Sequence, residues 1–464
     1  MTASPTFSVE GRRVVVVGAG RSGIAAAGLL VRRGASVTLT DVRDTIDGAD
    51  DLRAAGVRLE LGRHDASTLR EADLIVLSPG VPPAQPVIAQ ARAAGVPVIG
   101  ELELASRWLR GRVVAITGTK GKSTTTTLTG RMLEAGGHRV LVGGNIGHAL
   151  SAQVEESTDD TIHVVEASSF QLEVTDTFHP WIAVLLNFSP DHLDRHADVG
   201  EYAAAKARIF ANQAPGDWVV LNAEDPPSLA VADAARAQRL LFAMQQDLPE
   251  GVVIAGEWIV RRTARAEQAL VPVAAIKLLG RHLFADVVAA AAVASIVGVA
   301  PEAMTRAVEA FTGLEHALEP AGEVGGVRFV NDSKATNVEA AHRAIESFGP
   351  GLVAIVGGRF KGGDFADLAA PLEARHATVI AIGEARPLIH AALDGRVAVR
   401  DAADMSAAVR LAFAISAPGG TVVLAPACSS FDMFRDYAER GRVFKQEVAR
   451  LGQEWRKSEH WGGV

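Results

Sequence analysis

Val113-Val-Ala-Ile-Thr-Gly-Thr-Lys-Gly-Lys-Ser-Thr124 is the stretch that decides the reading of this 464-residue chain. Four apolar residues run into a loop punctuated by Gly118 and Gly121, and a threonine-rich segment follows Lys122 and Ser123. That order predicts a strand, a phosphate-cradling loop and a helix. Glycines let successive backbone N–H groups turn toward one anion, and the helix adds its positive N-terminal end. Lys122 can then reach the outer phosphates while Ser123 ligates Mg²⁺. Gly118, Thr119, Lys120, Gly121, Lys122, Ser123 and Thr124 are therefore the candidate ATP-binding loop. The general pattern puts its first glycine where this chain has Ile116, so the loop is a shortened variant.

Outward from this loop, the chain opens a strand–loop–helix unit twice more. Arg13-Val-Val-Val-Val-Gly18-Ala-Gly20-Arg-Ser-Gly23 is a G-x-G-x-x-G sequence directly after a predicted strand. The next strand, from Ser36, ends in Asp41, about where a dinucleotide fold places its ribose-binding acid. Taken alone, this fingerprint reads as an NAD site. A third strand runs into Ser78-Pro79-Gly80. The last unit opens near Gly326 to Asn331 and continues through strands at 352–356, 378–382 and 421–424. Alternating strands and helices predict an α/β protein of three domains, each with a mostly parallel sheet covered on both faces. Residues 1–105 are expected to be Rossmann-like, 106–313 a P-loop-type ATPase and 314–464 Rossmann-like again.

Composition narrows the class. A net charge of −8 gives no reason to expect nucleic acid or an anionic membrane as partner. The single cysteine, Cys428, excludes an internal disulfide framework and fits a reducing cytoplasm. The first residues lack the basic and apolar blocks of a signal peptide. The most apolar run, Val287 to Ala300, is too short to span a membrane and predicts a buried helix. A cytoplasmic enzyme acting on small molecules, as a monomer, is the expectation.

Polar residues cluster at predicted strand ends downstream of the phosphate loop. Glu166 closes one strand, at the edge where open α/β sheets bind ligands. Another strand leads through Asn187 into Asp191-His192-Leu-Asp194-Arg-His196. Glu166 and His192 suit Mg²⁺ or Mn²⁺ with bound phosphates, although Glu166 alone is equally readable as a solvated strand-end carboxylate. For Asp191, Asp194 and His196, turn formation and capping serve at least as well. Asn145, between glycines, either shapes its loop or offers an amide to a ligand. Lys206 shares a helical face with Tyr202 and Phe210, and by pattern reads as a snorkelling surface lysine.

Six ordered blocks together resemble the Mur ligases, the ATP-dependent amide-forming family of peptidoglycan precursor synthesis. They are Gly118-Thr-Lys-Gly-Lys-Ser-Thr124, Gly143-Gly-Asn-Ile-Gly147, Glu166-Ala-Ser-Ser-Phe-Gln-Leu-Glu173, Asp191-His-Leu-Asp194, Asn331-Asp-Ser-Lys-Ala-Thr-Asn337 and Pro426-Ala-Cys-Ser-Ser-Phe-Asp432. The resemblance implies a ligase that adds D-glutamate to UDP-N-acetylmuramoyl-L-alanine through an acyl phosphate, releasing ADP and phosphate. It implies two Mg²⁺ ions held through Ser123, Glu166, His192 and Lys206, with Lys206 carrying a carbamate. Lys122, Glu166, His192 and Lys206 then form the catalytic set. The first glycine loop becomes a UDP-sugar site, with Gly20, Arg21, Ser22, Asp41, Ser78, Asn145, Ser168 and Gln171. His282, Asp332 and Lys334 join the ATP contacts, and Thr336, Lys361, Ser430 and Tyr437 fall at glutamate-binding positions.

Some positions depart from the family pattern. Lys120 stands where relatives typically have Asn, Leu283 and Asp286 replace the asparagines of a His-Asn-x-x-Asn block, and Ala317 replaces an arginine after His316. Losing a bidentate cation near ATP is not a neutral change; compensation through Lys120 is one expectation. A dehydrogenase explains only the first glycine loop. A non-catalytic ATP-binding scaffold, or a ligase for another acceptor such as L-glutamate, are the remaining alternatives.

Overall fold

The computed structural model describes residues 7–192, 195–278, 281–416 and 418–461, the backbone alone at 281–282 and 458–461. Its first sheet comprises β1 (Arg13–Val17), β2 (Ser36–Asp41), β3 (Arg58–Leu61), β4 (Leu74–Leu77) and β5 (Val98–Gly100). Their order is β3-β2-β1-β4-β5, parallel throughout. Val14 to Val17 of β1 are all buried, because helices cover both faces of a parallel sheet. The strand order reverses between β1 and β4, opening a crevice at their carboxyl ends. Gly18–Gly23 and Ser78 emerge there. An added Cβ on Gly23 would lie 1.9 Å from the Gly18 carbonyl oxygen, so only glycine lets the helix Arg21–Arg32 approach this closely.

The second sheet has nine strands: β6 (Arg112–Thr117), β7 (Arg139–Gly144), β8 (Thr161–Glu166), β9 (Ile182–Leu185), β10 (Trp218–Asn222), β11 (Gln238–Ala243), β12 (Gly251–Ala255), β13 (Trp258–Thr263) and β14 (Ala266–Pro272). Their order is β14-β13-β12-β11-β10-β9-β6-β8-β7. Pairing is parallel from β7 to β12 and antiparallel in the terminal ribbon β12-β13-β14. Strand β6 sits between β8 and β9, so the phosphate loop, Glu166 and Asn187 all leave the same edge. The predicted buried helix forms as Arg281–Val297, with Val287 to Ala294 fully buried. Gly298 in the left-handed region ends it, and Pro301 begins the next helix.

The third sheet comprises β15 (Glu319–Val324), β16 (Val327–Asn331), β17 (Leu352–Gly357), β18 (Thr378–Ile382), β19 (Ala398–Asp401) and β20 (Thr421–Leu424), in the order β15-β16-β20-β17-β18-β19. Only the β15–β16 pair is antiparallel. The chain divides into two compact units. One holds 1–276 and 284–310, with the first two sheets, and the other holds 277–283 and 311–464. In the first unit Leu29, Leu102 and Ala105 share a core with Leu150, Leu172 and Phe178, which joins the first two sheets. Among the described residues, no helix is long and apolar enough to cross a membrane.

Candidate active site

Gly118 and Gly121 both adopt positive φ, and the helix Lys122–Ala135 starts directly from Gly121. The loop is clasped from below by Asn187, whose Oδ1 accepts from the Thr119 and Lys120 N–H groups and whose Nδ2 donates to the Lys120 carbonyl. The Lys122 ammonium donates to the Gly118 and Thr119 carbonyls, both at 2.9 Å, and so lies over the loop.

Lys206 overturns the surface expectation. It is 1% exposed, its Nζ donates to the Gly118 carbonyl at 2.9 Å, and it sits 4.7 Å from the centroid of the Tyr202 ring. Burial, with the Lys122 ammonium adding repulsion, pushes its amine well below the ordinary lysine range. Asp191 and Glu166 act on it in the opposite sense, so all four groups fall within one electrostatic neighbourhood. The helical face that suggested snorkelling instead turns inward, because Tyr202 and Phe210 are buried with it.

Glu166 is 2% exposed rather than solvated. One carboxylate oxygen accepts from Asn145 Nδ2 at 2.7 Å, and the other, Oε2, is buried without a partner. A buried carboxylate oxygen left unpaired at a phosphate loop fits a divalent cation. His192 lies half-exposed, with a left-handed φ of 56° and its ring edge-on to Phe170 at 4.9 Å. Among the described residues, no three His, Cys, Asp or Glu side chains gather closely enough to hold a metal alone. A divalent cation at this loop would need donors beyond Glu166 and His192, such as the Ser123 hydroxyl and phosphate oxygens.

Asp191 accepts from Lys120 Nζ and from the His192 N–H, while buried His196 bonds Ser169 Oγ. Asp194 lies outside the described residues. Asp286 is buried against Gly121, where an added Cβ would be 2.1 Å from its Oδ1; its Oδ2 has no partner, and burial pushes its carboxyl well above the usual range. The side chain of His282 is likewise not described.

The crevice of the first sheet meets the Gly144–Gly147 loop of the second. Arg21, Ser22, Ser78, Asn145 and Gln171 line a single cavity of about 180 Å³, smaller than the roughly 300 Å³ of a typical small-molecule pocket. Gln171 also closes a capping box with Ser168, so Ser168 is a helix cap here and does not line the cavity. Asp41 is likewise committed to the protein. It accepts from the Ala19 N–H and from the Arg43 N–H and guanidinium, and Arg43 holds it well below the usual carboxylate range. This leaves it with the task of shaping the Gly18–Gly20 loop. Glu101, which motif reading missed, fixes the start of the helix after Gly147 by accepting from the Ser151 N–H.

In the second unit, Asp332 is 8% exposed, accepts from the Leu318 N–H, and is pushed up to about 7 by burial. Lys334 and Thr336 follow on the same loop. Ser333 Oγ donates to the Tyr437 carbonyl, and buried Arg440 donates to Ser333 O, Ser333 Oγ and the Cys428 carbonyl. This arginine, which no motif marked, ties the Asp332–Thr336 loop to the Pro426–Ser430 loop. Ser430 is buried, Lys361 is exposed, and Tyr437 is 40% exposed with its ring edge-on to His316.

Models of the Mur ligase family match in chain order. A MurD-like N-terminal domain covers residues 12–100, the Mur ligase middle domain 116–294, and the Mur ligase glutamate ligase domain 318–428. A relative from Koribacter versatilis, described as a UDP-N-acetylmuramoylalanine–D-glutamate ligase, is 44% identical over 97% of this chain and 100% of its own length. The chain belongs to the Mur ligase family. A protein of the same description from Acidobacterium capsulatum is 45% identical over 95% of this chain and 97% of its own. The fold is shared with solved Mur ligases. MurC of Thermotoga maritima aligns with a TM-score of 0.58 at 18% identity, covering 95% of this chain and 99% of its own. MurF of Thermotoga maritima in complex with ADP aligns with a TM-score of 0.58 at 16% identity, covering 97% and 96%. For a Mur ligase, the departures at Lys120 and Asp286 lie directly against the phosphate loop. His316, by contrast, is a buried residue bonded to Asn331 Nδ2.

Proposed function

We propose that this Mur ligase joins D-glutamate to UDP-N-acetylmuramoyl-L-alanine in the cytoplasm, as a monomer, with ATP cleaved to ADP and phosphate. The observation that carries this is the meeting of half-buried Lys122 with buried Lys206 and Glu166 at the phosphate loop, with Glu166 Oε2 unpaired. The chemistry needs an activated carboxylate. A carboxylate oxygen of the muramoyl-alanine attacks the γ-phosphorus, the bond to the β–γ bridging oxygen breaks, and ADP leaves. The glutamate amine then attacks the acyl carbon, loses a proton, and phosphate departs.

Lys122 turns its ammonium from the loop carbonyls to the transferring phosphoryl group. Glu166, His192 and Ser123 would hold Mg²⁺, or Mn²⁺ in its place, and the ions would supply charge neutralisation on the phosphates. A lysine amine kept neutral by burial is the form that adds CO₂, giving a carbamate that can serve as a further carboxylate. Asn145 orients Glu166 through its amide and borders the cavity offered to the UDP-sugar. Asp332, Lys334 and His282 complete the ATP contacts, while Thr336, Lys361, Ser430 and Tyr437 receive the amino acid. We place the domain limits near 105 and 313.

Purified protein supplied with UDP-N-acetylmuramoyl-L-alanine, ATP, Mg²⁺ and either enantiomer of glutamate tests this by phosphate release. Release dependent on D-glutamate is expected. Dependence on L-glutamate alone would reassign the acceptor, and AMP with pyrophosphate would overturn the acyl-phosphate route.

A further inference from the structure

We propose that the Lys120–Asp191 ion pair is a strut that seats His192 against the phosphate loop, making Lys120 a positioning residue rather than a phosphate ligand. The proposal rests on the reading of His192 as a metal ligand. Lys120 lies between the two loop glycines, and its own peptide is fixed on both sides by the Asn187 amide. With the backbone held, the side chain reaches Asp191 Oδ2 at 3.4 Å. The opposite oxygen of the same carboxylate accepts from the His192 N–H at 2.9 Å. One carboxylate thus bridges the loop cation and the peptide of the candidate ligand.

His192 needs such a hold. Its φ of 56° lies in the left-handed region, which a non-glycine residue keeps only when its neighbours fix it. The Phe170 and Tyr202 rings, at 4.9 and 6.2 Å, bound its imidazole on the side-chain end. Asp191 supplies the backbone end. Lys120 and Asp191 side chains are 31% and 26% exposed, so water screens the pair less than it would on an open surface. The two loop lysines divide the work by direction. Lys122 lies over the loop on the Gly118 and Thr119 carbonyls, whereas Lys120 is turned to the 187–192 segment.

Binding of Mn²⁺ to the full chain, followed by electron paramagnetic resonance with ADP present, provides the readout. Lys120→Met and Asp191→Asn should each weaken Mn²⁺ binding about five- to tenfold, and the double variant should be no weaker than either single one. Lys120→Arg should keep wild-type affinity, which guards against a folding defect. ADP affinity measured calorimetrically in EDTA should be unchanged in every variant. The strut is overturned if Lys120→Met leaves Mn²⁺ binding intact, or if it weakens ADP in EDTA while Asp191→Asn does not, since that marks a phosphate contact. His192→Ala is the separate check on the underlying reading. If it binds Mn²⁺ normally, both the metal role and the strut fall; if it loses Mn²⁺ while Lys120→Met does not, only the strut falls.

Discussion

The two glycine loops of the first compact unit share a strand–loop–helix plan and differ in the acid lying against them. At Gly18–Gly23, Asp41 answers the Ala19 N–H itself and is kept ionised by Arg43. At Gly118–Gly121, Asp286 packs on Gly121 with Oδ2 unpaired, and burial favours its neutral form. Around the second loop stand Lys120, Lys122 and Lys206; around the first, Arg43 is engaged by Asp41 and the Ala19 carbonyl. A glycine motif therefore fixes a backbone shape, and the charges gathered around it decide what the loop can hold. Under the proposed function, phosphoryl transfer belongs to the second loop and substrate binding to the first.

That division is broken most directly at Lys206. Lys206→Met keeps the buried volume and removes the amine, so phosphate release should fall about 10³-fold, or roughly 4 kcal/mol. The KM for the UDP-sugar should move only a few-fold. Turnover within tenfold of wild type would take the chemistry away from the second loop.

The glycines themselves give the next largest effects. In Gly23→Ala the new methyl meets the Gly18 carbonyl at 1.9 Å, and backbone cannot yield, so about 3 kcal/mol of stability should be lost. In Gly121→Ala it meets the Asp286 carboxyl at 2.1 Å with φ at 83°, for about 2 kcal/mol. Urea unfolding measures both, and calorimetry separates them: ADP affinity should drop in Gly121→Ala alone. Equal ADP loss in both variants would merge the two loops into one function.

Much of this was legible in the chain because parallel strands buried on both faces read as unbroken apolar runs, as in Val14–Val17 and Leu352–Val356. Loop glycines at fixed offsets then located both crevices, and Ser22, Ser78, Asn145 and Gln171 do line one cavity. The antiparallel ribbon Gly251–Pro272 was not read, since its exposed outer strand carries no comparable run. Lys206 shows why local pattern fails at a site. Its helical face is legible, but its partner, the Gly118 carbonyl, lies 88 residues away, so periodicity alone points the amine to water and only the family resemblance brings it to the site. Arg440 was missed for the same reason, as its acceptors sit 107 and 12 residues earlier. Ser168 and Asp41 show the limit of a motif, which does not reveal that one caps a helix and the other holds the Ala19 N–H.

The smallest effect is also the sharpest test of the comparison, because the two acids should bend stability in opposite directions with pH. Asp41 has a folded pKa below its unfolded value of about 3.9. Its contribution is present above that pH and is lost as pH falls through the folded value. Asp41→Asn should thus cost about 1 kcal/mol between pH 5 and 8, with the difference shrinking below about pH 4. Asp286 has a folded pKa well above its unfolded value, so the native state loses stability as pH rises from about 3.9 toward that folded value. Asp286→Asn removes this loss, and its stability relative to wild type should climb across the same range. Urea midpoints taken at intervals from pH 2 to 8 should therefore show Asp41→Asn losing ground to wild type as pH rises to about 4 and staying level above it, and Asp286→Asn gaining on wild type only above about pH 4. Parallel slopes would mean that both loops hold their acid in the same charge state, and the electrostatic distinction between them would be lost.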